Sequence, residues 1–332
     1  KSIYYPFVFV LSLINMEEKI LNLIKDSNSI LIITHINPDG DTLGCASCLK
    51  SFIGDRADIL IQIEDNFSFP TTYNFLPYLR EAKNFSTLED KYDLVIAVDT
   101  ASIDRIIDKP KEIFLNCKNS IVFDHHKTNK GFAAINYIQG GESSCAQVLF
   151  DFFSKLNIAI TKQMAVGLYT GLLTDSGCFK YESTTFHTFE TAKQLSLIGI
   201  DISKIADLCY TNKPKNLILF QSELIANANF CLNDKVAYIL ITKDFINRYN
   251  AKDNFTEGIV ETLRSIKAVE VALVLKESTQ GTKVSIRTKE IDATKITSPF
   301  RGGGHKRAAG CTIKDNINKS LELLLNRVKE LL

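Results

Sequence analysis

The sequence has no excess of one charge and no long hydrophobic run. Its 332 residues include 39 Lys and Arg against 38 Asp and Glu, which gives a formal net charge of +1. Proteins that coat long nucleic acids usually have a stronger basic bias, so this class is disfavoured, whereas a short nucleotide held by a local basic patch stays compatible. No stretch is apolar over the roughly 20 residues that a transmembrane helix needs, and no membrane association is expected.

A disulfide-like cysteine spacing is lacking as well. The eight cysteines are scattered, and Cys45 and Cys48 form a C-x-x-C with no second pair to complete a zinc site. A zinc half-site or a redox pair is the functional alternative, but we favour two small apolar residues on a buried helix face. Free thiols in this arrangement predict a reducing compartment, the cytoplasm.

Residues 1–15 precede the first methionine, Met16, and contain a short apolar run at residues 6–11. This run is too short to cross a bilayer, and no small-residue cleavage site follows it. We therefore expect an N-terminal extension that is not native, rather than a signal peptide.

Short apolar β-rich runs alternate with helical patterns up to about residue 190. The predicted strands lie at 27–34, 58–64, 92–98 and 120–123, and the predicted crossover helices lie at 42–52, 147–156 and 162–173. Strands that are apolar on both faces indicate a parallel sheet covered by helices. The expected fold class is therefore α/β, with a doubly wound, mainly parallel N-terminal sheet.

A helical stretch broken at Pro214 separates this pattern from a second, smaller α/β pattern with a mixed sheet. Its predicted strands lie at 236–242, 270–275 and 283–288, and the last helix carries one apolar stripe. The predicted organisation is an extension at 1–15, a catalytic domain at 16–195, a helical linker at 196–228 and a substrate-binding domain at 229–332.

Acidic and imidazole side chains follow three of the predicted strands. In open α/β sheets, ligands bind beyond the carboxyl ends of the strands, so these side chains are expected in one crevice. A fourth segment, near the end of a helix, adds another acid. The candidate metal ligands are His35, Asp39, Asp41, Asp99, His125 and Asp175. Mixed carboxylate and imidazole groups without cysteine favour Mn²⁺ or Mg²⁺ over structural zinc.

Each of these motifs also has an ordinary structural interpretation. Asp39 or Asp41 can cap the helix that follows, Asp99 can cap another, and Asp175 can belong to a helix C-terminal turn that ends at Gly177. Two adjacent imidazoles, His125 and His126, are less common as packing. On an extended backbone they point to opposite sides, so one can bind metal while the other faces substrate.

Three features are candidates for binding an anionic substrate. Gly302, Gly303 and Gly304, followed by His305, allow backbone N–H groups to converge on an anion, with a flexible loop as the alternative. Arg287 lies on a basic face of a predicted strand, which can grip phosphate or be merely solvated. Ser144 can hold an anion at a helix N-terminus, although an ordinary cap is favoured.

The segment Asp124-His125-His126, together with the acidic motifs before and after it, resembles the DHH phosphoesterase superfamily. The glycine run 302–305 followed by residues 308–310 resembles its DHHA1 domain. The resemblance covers residues 16–332 and is strongest to the bacterial nanoRNase and pAp phosphatase group.

The resemblance implies two Mn²⁺ ions, with Mg²⁺ or Co²⁺ as alternatives. It assigns one ion to His35, Asp39 and Asp99, and the other to Asp41, Asp99, His125 and Asp175, so that Asp99 is shared. His126 would lie beside the scissile phosphate, and Asp99 and His126 are the expected catalytic residues. Ser144, Arg287 and the run 302–305 remain the expected substrate-binding residues.

The implied activity is hydrolysis, by a hydroxide that two metals activate, of short single-stranded RNA to mononucleotides and of 3′-phosphoadenosine 5′-phosphate to AMP. Linear or cyclic dinucleotides such as pApA and cyclic di-AMP are alternative substrates. A pyrophosphatase and a long-strand exonuclease fit less well, because the first lacks the glycine run and the second is normally larger. A noncatalytic nucleotide sensor and a homodimer are left open.

Overall fold

The computed structural model of this chain describes residues 15–63, 71–211, 213–251 and 253–332. Residues 1–14 of the expected extension lie outside this part. The chain divides into two compact units, Lys1–Asn212 and Lys213–Leu332. The division falls within the predicted helical linker at 196–228. No helix among the described residues has the length and apolar character to cross a membrane.

The first unit is built on a five-stranded parallel sheet in the order β2-β1-β3-β4-β5. Its elements in chain order are α1 (Met16–Asp26), β1 (Ile30–Ile33), α2 (Gly40–Ile53), β2 (Ala57–Leu60), β3 (Leu94–Val98), α3 (Asp108–Asn116), β4 (Ser120–Asp124), β5 (Ile135–Ile138), α4 (Cys145–Lys155), α5 (Lys162–Asp175), α6 (Phe186–Leu197) and α7 (Ile202–Tyr210).

Burial explains the composition of the central strands. Every residue of β1, β3 and β4 is buried, because helices cover both faces of the sheet. The predicted parallel α/β architecture is thereby confirmed. The edge strand β5, which is not among the predicted strands, alternates between buried and half-buried residues. Cys45 and Cys48 are buried on α2, and burial raises their thiol pKa well above the usual value, as expected for packed, inert thiols.

Helices α2 and α5 approach each other through glycine. A Cβ atom on Gly44 would lie 2.3 Å from the Gly167 carbonyl oxygen, and one on Gly167 would lie 2.5 Å from the Gly44 carbonyl oxygen. Neither position therefore has room for a side chain. One turn before Gly44, Asp41 lies at the start of α2, and a Cβ on Gly171 of α5 would meet its Oδ1 atom at 2.4 Å. This backbone contact brings the first turn of α2 against the last turns of α5, where Asp175 lies.

The second unit contains a six-stranded mixed sheet in the order β10-β11-β9-β8-β7-β6, in which only the β7–β8 pair is parallel. Its elements in chain order are α8 (Lys215–Ala226), β6 (Asn229–Cys231), β7 (Val236–Ile241), α9 (Lys243–Arg248), α10 (Ile259–Ser265), β8 (Val271–Ser278), β9 (Gly281–Thr288), α11 (Ala293–Thr297), β10 (Gly303–His305), β11 (Ala308–Ile313) and α12 (Ile317–Lys329). The predicted mixed sheet is confirmed. In α12, Ile317, Leu324 and Val328 are buried, as the apolar stripe predicts.

Candidate metal centre

The loop after β1 supplies the first two candidate ligands. Asp39 is the N-cap of α2, and its Oδ1 accepts the backbone N–H groups of Asp41 and Thr42 at 3.0 and 3.2 Å. The capping alternative is therefore realised by one carboxylate oxygen. The other oxygen, Oδ2, lies 3.8 Å from His35 Nε2. Capping fixes the carboxylate, so that the remaining oxygen is held towards the imidazole.

Asp99 lies at the carboxyl end of β3, close to three imidazoles. Its backbone has a left-handed φ of 52°, which is uncommon for a residue other than glycine and often accompanies a functional site. Oδ2 lies 3.6 Å from His35 Nε2, and Oδ1 lies 3.4 Å from His125 Nε2 and 3.7 Å from His126 Nδ1. The side chain is 4% exposed, so its carboxylate is surrounded by these groups rather than by water.

Asp41 and Asp175 meet His125 on the other side of Asp99. The buried Asp41 carboxylate accepts N–H groups from Cys145 at 2.6 Å and Ala146 at 2.9 Å, the first residues of α4. A helix N-terminus stabilises a carboxylate in this way. Asp175 ends α5, and its Oδ2 lies 3.4 Å from His125 Nε2.

These side chains form three overlapping groups whose ligand atoms lie within 4.8 Å of one another. The groups are His35 with Asp39 and Asp99, Asp99 with His125 and His126, and Asp41 with His125 and Asp175. The structure thus brings together all six ligands expected from the sequence, and Asp99 and His125 each belong to two groups.

Burial and crowding perturb the pKa values of the acids and imidazoles. Burial raises the pKa of Asp41 to about 7, helped by the charge of Asp99, and burial together with Asp41 raises that of Asp175. Burial also acts to raise the pKa of Asp99, but His125 and His35 outweigh it and lower the pKa. Burial acts to lower the pKa of His35 and His125, yet the nearby carboxylates raise them to about 10 and about 11.

The residues present fit a divalent metal. Oδ1 of Asp99 is buried and has no hydrogen-bond partner within the described part of the chain. A buried carboxylate oxygen without a partner is costly, and a cation would supply the missing interaction while neutralising the crowded acids. Carboxylate oxygens and imidazole nitrogens without thiolate are the ligands that Mn²⁺ or Mg²⁺ accepts.

Three further residues orient the imidazoles and were not assigned a role from the sequence. His126 Nδ1 contacts Asp124 Oδ1 at 2.7 Å, and Asp124 Oδ2 accepts from Asn129 Nδ2, also at 2.7 Å. His125 Nδ1 contacts the backbone oxygen of Glu142 at 2.9 Å, which leaves Nε2 to face the acids. Asp124 was visible inside the motif, but Asn129 and Glu142 lie in loops that offer no pattern to read.

His187, for which the sequence suggested no role, lies in the first turn of α6. Its Nδ1 is 3.3 Å from Glu142 Oε2, and its Nε2 is 3.1 Å from Asp151 Oδ1. Gln147 Nε2 lies 2.7 Å from the same Nδ1. The imidazole bridges one acid in the loop before α4 and another within α4, and so connects α6 to the loop that contacts His125.

The candidate substrate-binding residues have different settings. Ser144 is buried and is the N-cap of α4, with its Oγ accepting the Gln147 N–H at 3.1 Å, which is the ordinary capping role. Arg287 lies on the solvent-facing side of β9 as predicted, and its Nη2 pairs with Glu261 at 2.9 Å.

The glycine run forms structure of its own in the second unit. Gly303 and Gly304 belong to β10, which pairs with β11 in a hairpin. A Cβ on Gly302 would lie 2.5 Å from the Gly310 oxygen, and Gly304 has a φ of 144°. Glycine is thus required by a tight strand pair, not by a flexible loop. The side chain of His305 lies outside the described part of the chain.

Two family models match the chain. The DHH family N-terminal domain matches residues 29–172, and the DHHA1 domain matches residues 233–332. The chain belongs to the DHH/DHHA1 phosphoesterase superfamily. The metal groups described above lie in, or just after, the DHH domain, and the glycine run lies in the DHHA1 domain.

Relatives and a solved structure match this DHH/DHHA1 chain over most of its length. A protein of Thermus thermophilus named bifunctional oligoribonuclease and PAP phosphatase NrnA is 26% identical and covers 91% of this chain and 89% of its own. A Streptococcus mutans protein with the name probable bifunctional oligoribonuclease and PAP phosphatase NrnA is 28% identical, covering 88% and 91%. The crystal structure of an exopolyphosphatase-related protein from Bacteroides fragilis shares the fold, with a TM-score of 0.87, 22% identity and coverage of 95% and 96%.

Proposed function

We propose that this protein is a metal-dependent phosphoesterase that hydrolyses short RNA oligonucleotides to mononucleotides and 3′-phosphoadenosine 5′-phosphate to AMP. The observation that supports it best is the set of three overlapping ligand groups, two of which contain Asp99, whose buried Oδ1 lacks a hydrogen-bond partner in the described chain. The activities in the names of the Thermus and Streptococcus relatives, which match nearly the whole chain, support the substrate class.

The proposed cofactor is a pair of Mn²⁺ ions. His35, Asp39 and Asp99 would hold one ion, and Asp41, Asp99, His125 and Asp175 the other. Bound metal would make water a nucleophile at neutral pH and offset charge on phosphate oxygens. The protein supplies the fixed ligand positions: Asp39 is fixed by its cap, Asp41 by the N-terminus of α4, and His125 by the Glu142 carbonyl.

His126 is the proposed residue beside the scissile phosphate. Its Nδ1 is held by Asp124, which fixes the orientation of the ring, and the opposite nitrogen, Nε2, would donate a hydrogen bond to a phosphate oxygen or a proton to the leaving oxygen. Burial acts to lower the pKa of His126, but the hydrogen bond to Asp124 outweighs it and raises the pKa, which favours the protonated donor.

Arg287 and the glycine strand 302–305 are the proposed nucleotide-binding elements of the DHHA1 domain. Arg287 is half-buried and held by Glu261 and by the Ile286 carbonyl, so its guanidinium is fixed in place. A fixed fork suits a phosphate group. Ser144 is left out of this proposal, because its hydroxyl is buried in the α4 cap.

All eight cysteines are free thiols, which supports a reducing compartment such as the cytoplasm. The proposed partners there are short single-stranded RNA and nucleotides.

A direct test is incubation of the purified chain with pApA or 3′-phosphoadenosine 5′-phosphate and Mn²⁺, followed by chromatography for AMP. We expect AMP from both substrates. Activity on pApA and cyclic di-AMP, with none on 3′-phosphoadenosine 5′-phosphate or on longer oligomers, would instead identify a dinucleotide phosphodiesterase. Nucleotide binding without any product, with Mn²⁺, Mg²⁺ or Co²⁺, would identify a sensor and overturn the proposal.

A further inference from the structure

An arginine that no pattern in the sequence brings out lies next to the candidate metal centre. Arg105 closes a short turn, Ile103–Arg105, six residues after Asp99. Its backbone oxygen accepts the Ile36 N–H at 3.0 Å, so the turn is tied to the loop that carries His35. Its side chain returns to the same loop, where Nη2 lies 3.1 Å from the Ile36 carbonyl oxygen and 3.0 Å from His35 Nδ1.

The described residues use little of the hydrogen-bonding capacity of this guanidinium. A guanidinium carries five N–H donors and accepts none, and only Nη2 has a partner in the described chain. No carboxylate of the described residues lies within ion-pair distance of Arg105, although acids crowd the other side of His35. The side chain is exposed. Among the described residues, one nitrogen of the guanidinium is fixed and its neighbours have no partner, so the fork is oriented in a way that suits an anion with two oxygens.

The imidazole of His35 separates this fork from the acids. Nε2 of His35 faces Asp39 and Asp99, whereas Nδ1, on the other edge of the ring, faces Arg105 and the Ile36 carbonyl. A phosphate that reacts between the proposed metals would lie on the Nε2 side. The fork of Arg105 is therefore placed for a different phosphate of the same substrate.

We propose that Arg105 is a specificity-determining residue that binds a second, non-scissile phosphate, the 5′-terminal phosphate of a dinucleotide. The assignment rests on the proposed phosphoesterase function and deepens it, because it makes a 5′-phosphorylated end part of what the catalytic unit recognises.

Two substrates with the same scissile bond test the assignment. The linkage is identical in pApA and ApA, but ApA lacks the 5′-phosphate. We expect the wild-type protein with Mn²⁺ to prefer pApA in kcat/KM. Arg105→Ala should lower kcat/KM for pApA about 10- to 100-fold more than it lowers kcat/KM for ApA, mainly through KM. Arg105→Lys keeps the charge but not the fork, so its kcat/KM for pApA should lie between those of the wild type and Arg105→Ala.

Arg80→Ala serves as the matched control, because Arg80 is another exposed arginine of the same unit. It should leave both substrates unaffected. Equal losses on pApA and ApA in Arg105→Ala, or no loss on either, would overturn the assignment to a second phosphate. So would a wild-type protein that cleaves both substrates equally well. A wild-type protein that cleaves neither substrate would instead overturn the phosphoesterase proposal, so the two failures are distinguishable.

Discussion

Asp124 Oδ1 and His126 Nδ1 lie 2.7 Å apart, and the aspartate is fully buried. Asn129 Nδ2 holds the second oxygen of Asp124 at 2.7 Å and also donates to the Thr100 carbonyl at 3.0 Å. The first residue of the Asp124-His125-His126 motif is therefore a partner of the third and is absent from all of the candidate ligand groups. The aspartate fixes both the orientation of the ring and the position of its proton.

Asp124→Asn should reduce turnover without much effect on substrate affinity. The amide keeps the shape but loses the charge that favours protonated His126, so we expect kcat for pApA to fall about 10- to 100-fold with KM within about twofold. Steady-state kinetics at saturating Mn²⁺ measures both. Asp104→Asn, at an exposed acid paired with Lys111, is the control and should be neutral. A raised KM with normal kcat would contradict this role for Asp124.

Asp99→Asn should remove the ligand that two metal groups share. We expect fewer bound Mn²⁺ ions per chain than in the wild type, measured by electron paramagnetic resonance of free Mn²⁺, and a loss of turnover of at least about 100-fold. Asp90→Asn provides an exposed control that pairs only with Lys109 among the described residues. Wild-type turnover and metal binding in Asp99→Asn would rule out a shared ligand.

Gly44→Ala should destabilise the first unit through overpacking. The new Cβ would meet the Gly167 carbonyl at 2.3 Å, so α2 and α5 must separate, at a cost of about 3 kcal/mol in the free energy of unfolding. Urea denaturation measures this. Gly303→Ala is the comparison, because its Cβ would meet no atom within 4 Å, and we expect a change below about 0.5 kcal/mol. Equal stability of Gly44→Ala and wild type would show that the helices can separate freely.

Glu17 should make a pH-dependent contribution to stability. Its Oε1 contacts Tyr137 Oη and Lys155 Nζ, both at 2.9 Å, which ties α1 to β5 and α4. Burial acts to raise the pKa of Glu17, but these hydrogen bonds outweigh it and leave the pKa below its usual value. A lowered folded-state pKa means that the stabilisation is present above the unfolded pKa of about 4.3 and is lost as the pH falls through the folded value.

Glu17→Gln should therefore lower the free energy of unfolding more at pH 7 than near pH 3. The loss at pH 7 should be only about 0.5 kcal/mol, because Lys155 is half-exposed and solvent screens its charge. Urea titrations at both pH values measure the difference. Glu18→Gln, in the same helical turn but exposed, controls for the effect of charge at a helix N-terminus. The same loss at both pH values would argue against an ionic contribution.

The strands and the clustering of the candidate ligands were predictable because each rests on a local pattern. Apolar runs such as β3 indicate a parallel sheet that helices cover on both faces. Acids directly after these runs indicate a site at the carboxyl ends of the strands. The α/β fold of the second unit was predictable from its β-rich runs and from the apolar stripe of α12. These patterns depend on a few neighbouring residues, so one sequence is enough to read them.

What the sequence did not reveal depends on contacts between distant segments. Arg105 lies 70 residues from His35, and Glu142 contacts His125 through a backbone oxygen that any residue would supply. The burial of Ser144 depends on the packing of the N-terminus of α4 against Asp41, which is more than 100 residues away in the sequence. The glycine run was interpreted as a loop or an anion-binding turn, because no local sequence pattern predicts that β10 pairs with β11.

The contact between Gly44 and Gly167 also bears on how the core of this protein can change while the candidate ligands keep their places. Backbone atoms, rather than side chains, set the distance between α2 and α5 at that point. Substitutions elsewhere in the core can refill the space around these helices without moving Asp41 relative to Asp175. The separation of these two carboxylates therefore tolerates extensive change in the surrounding sequence, as long as positions 44 and 167 both lack a side chain.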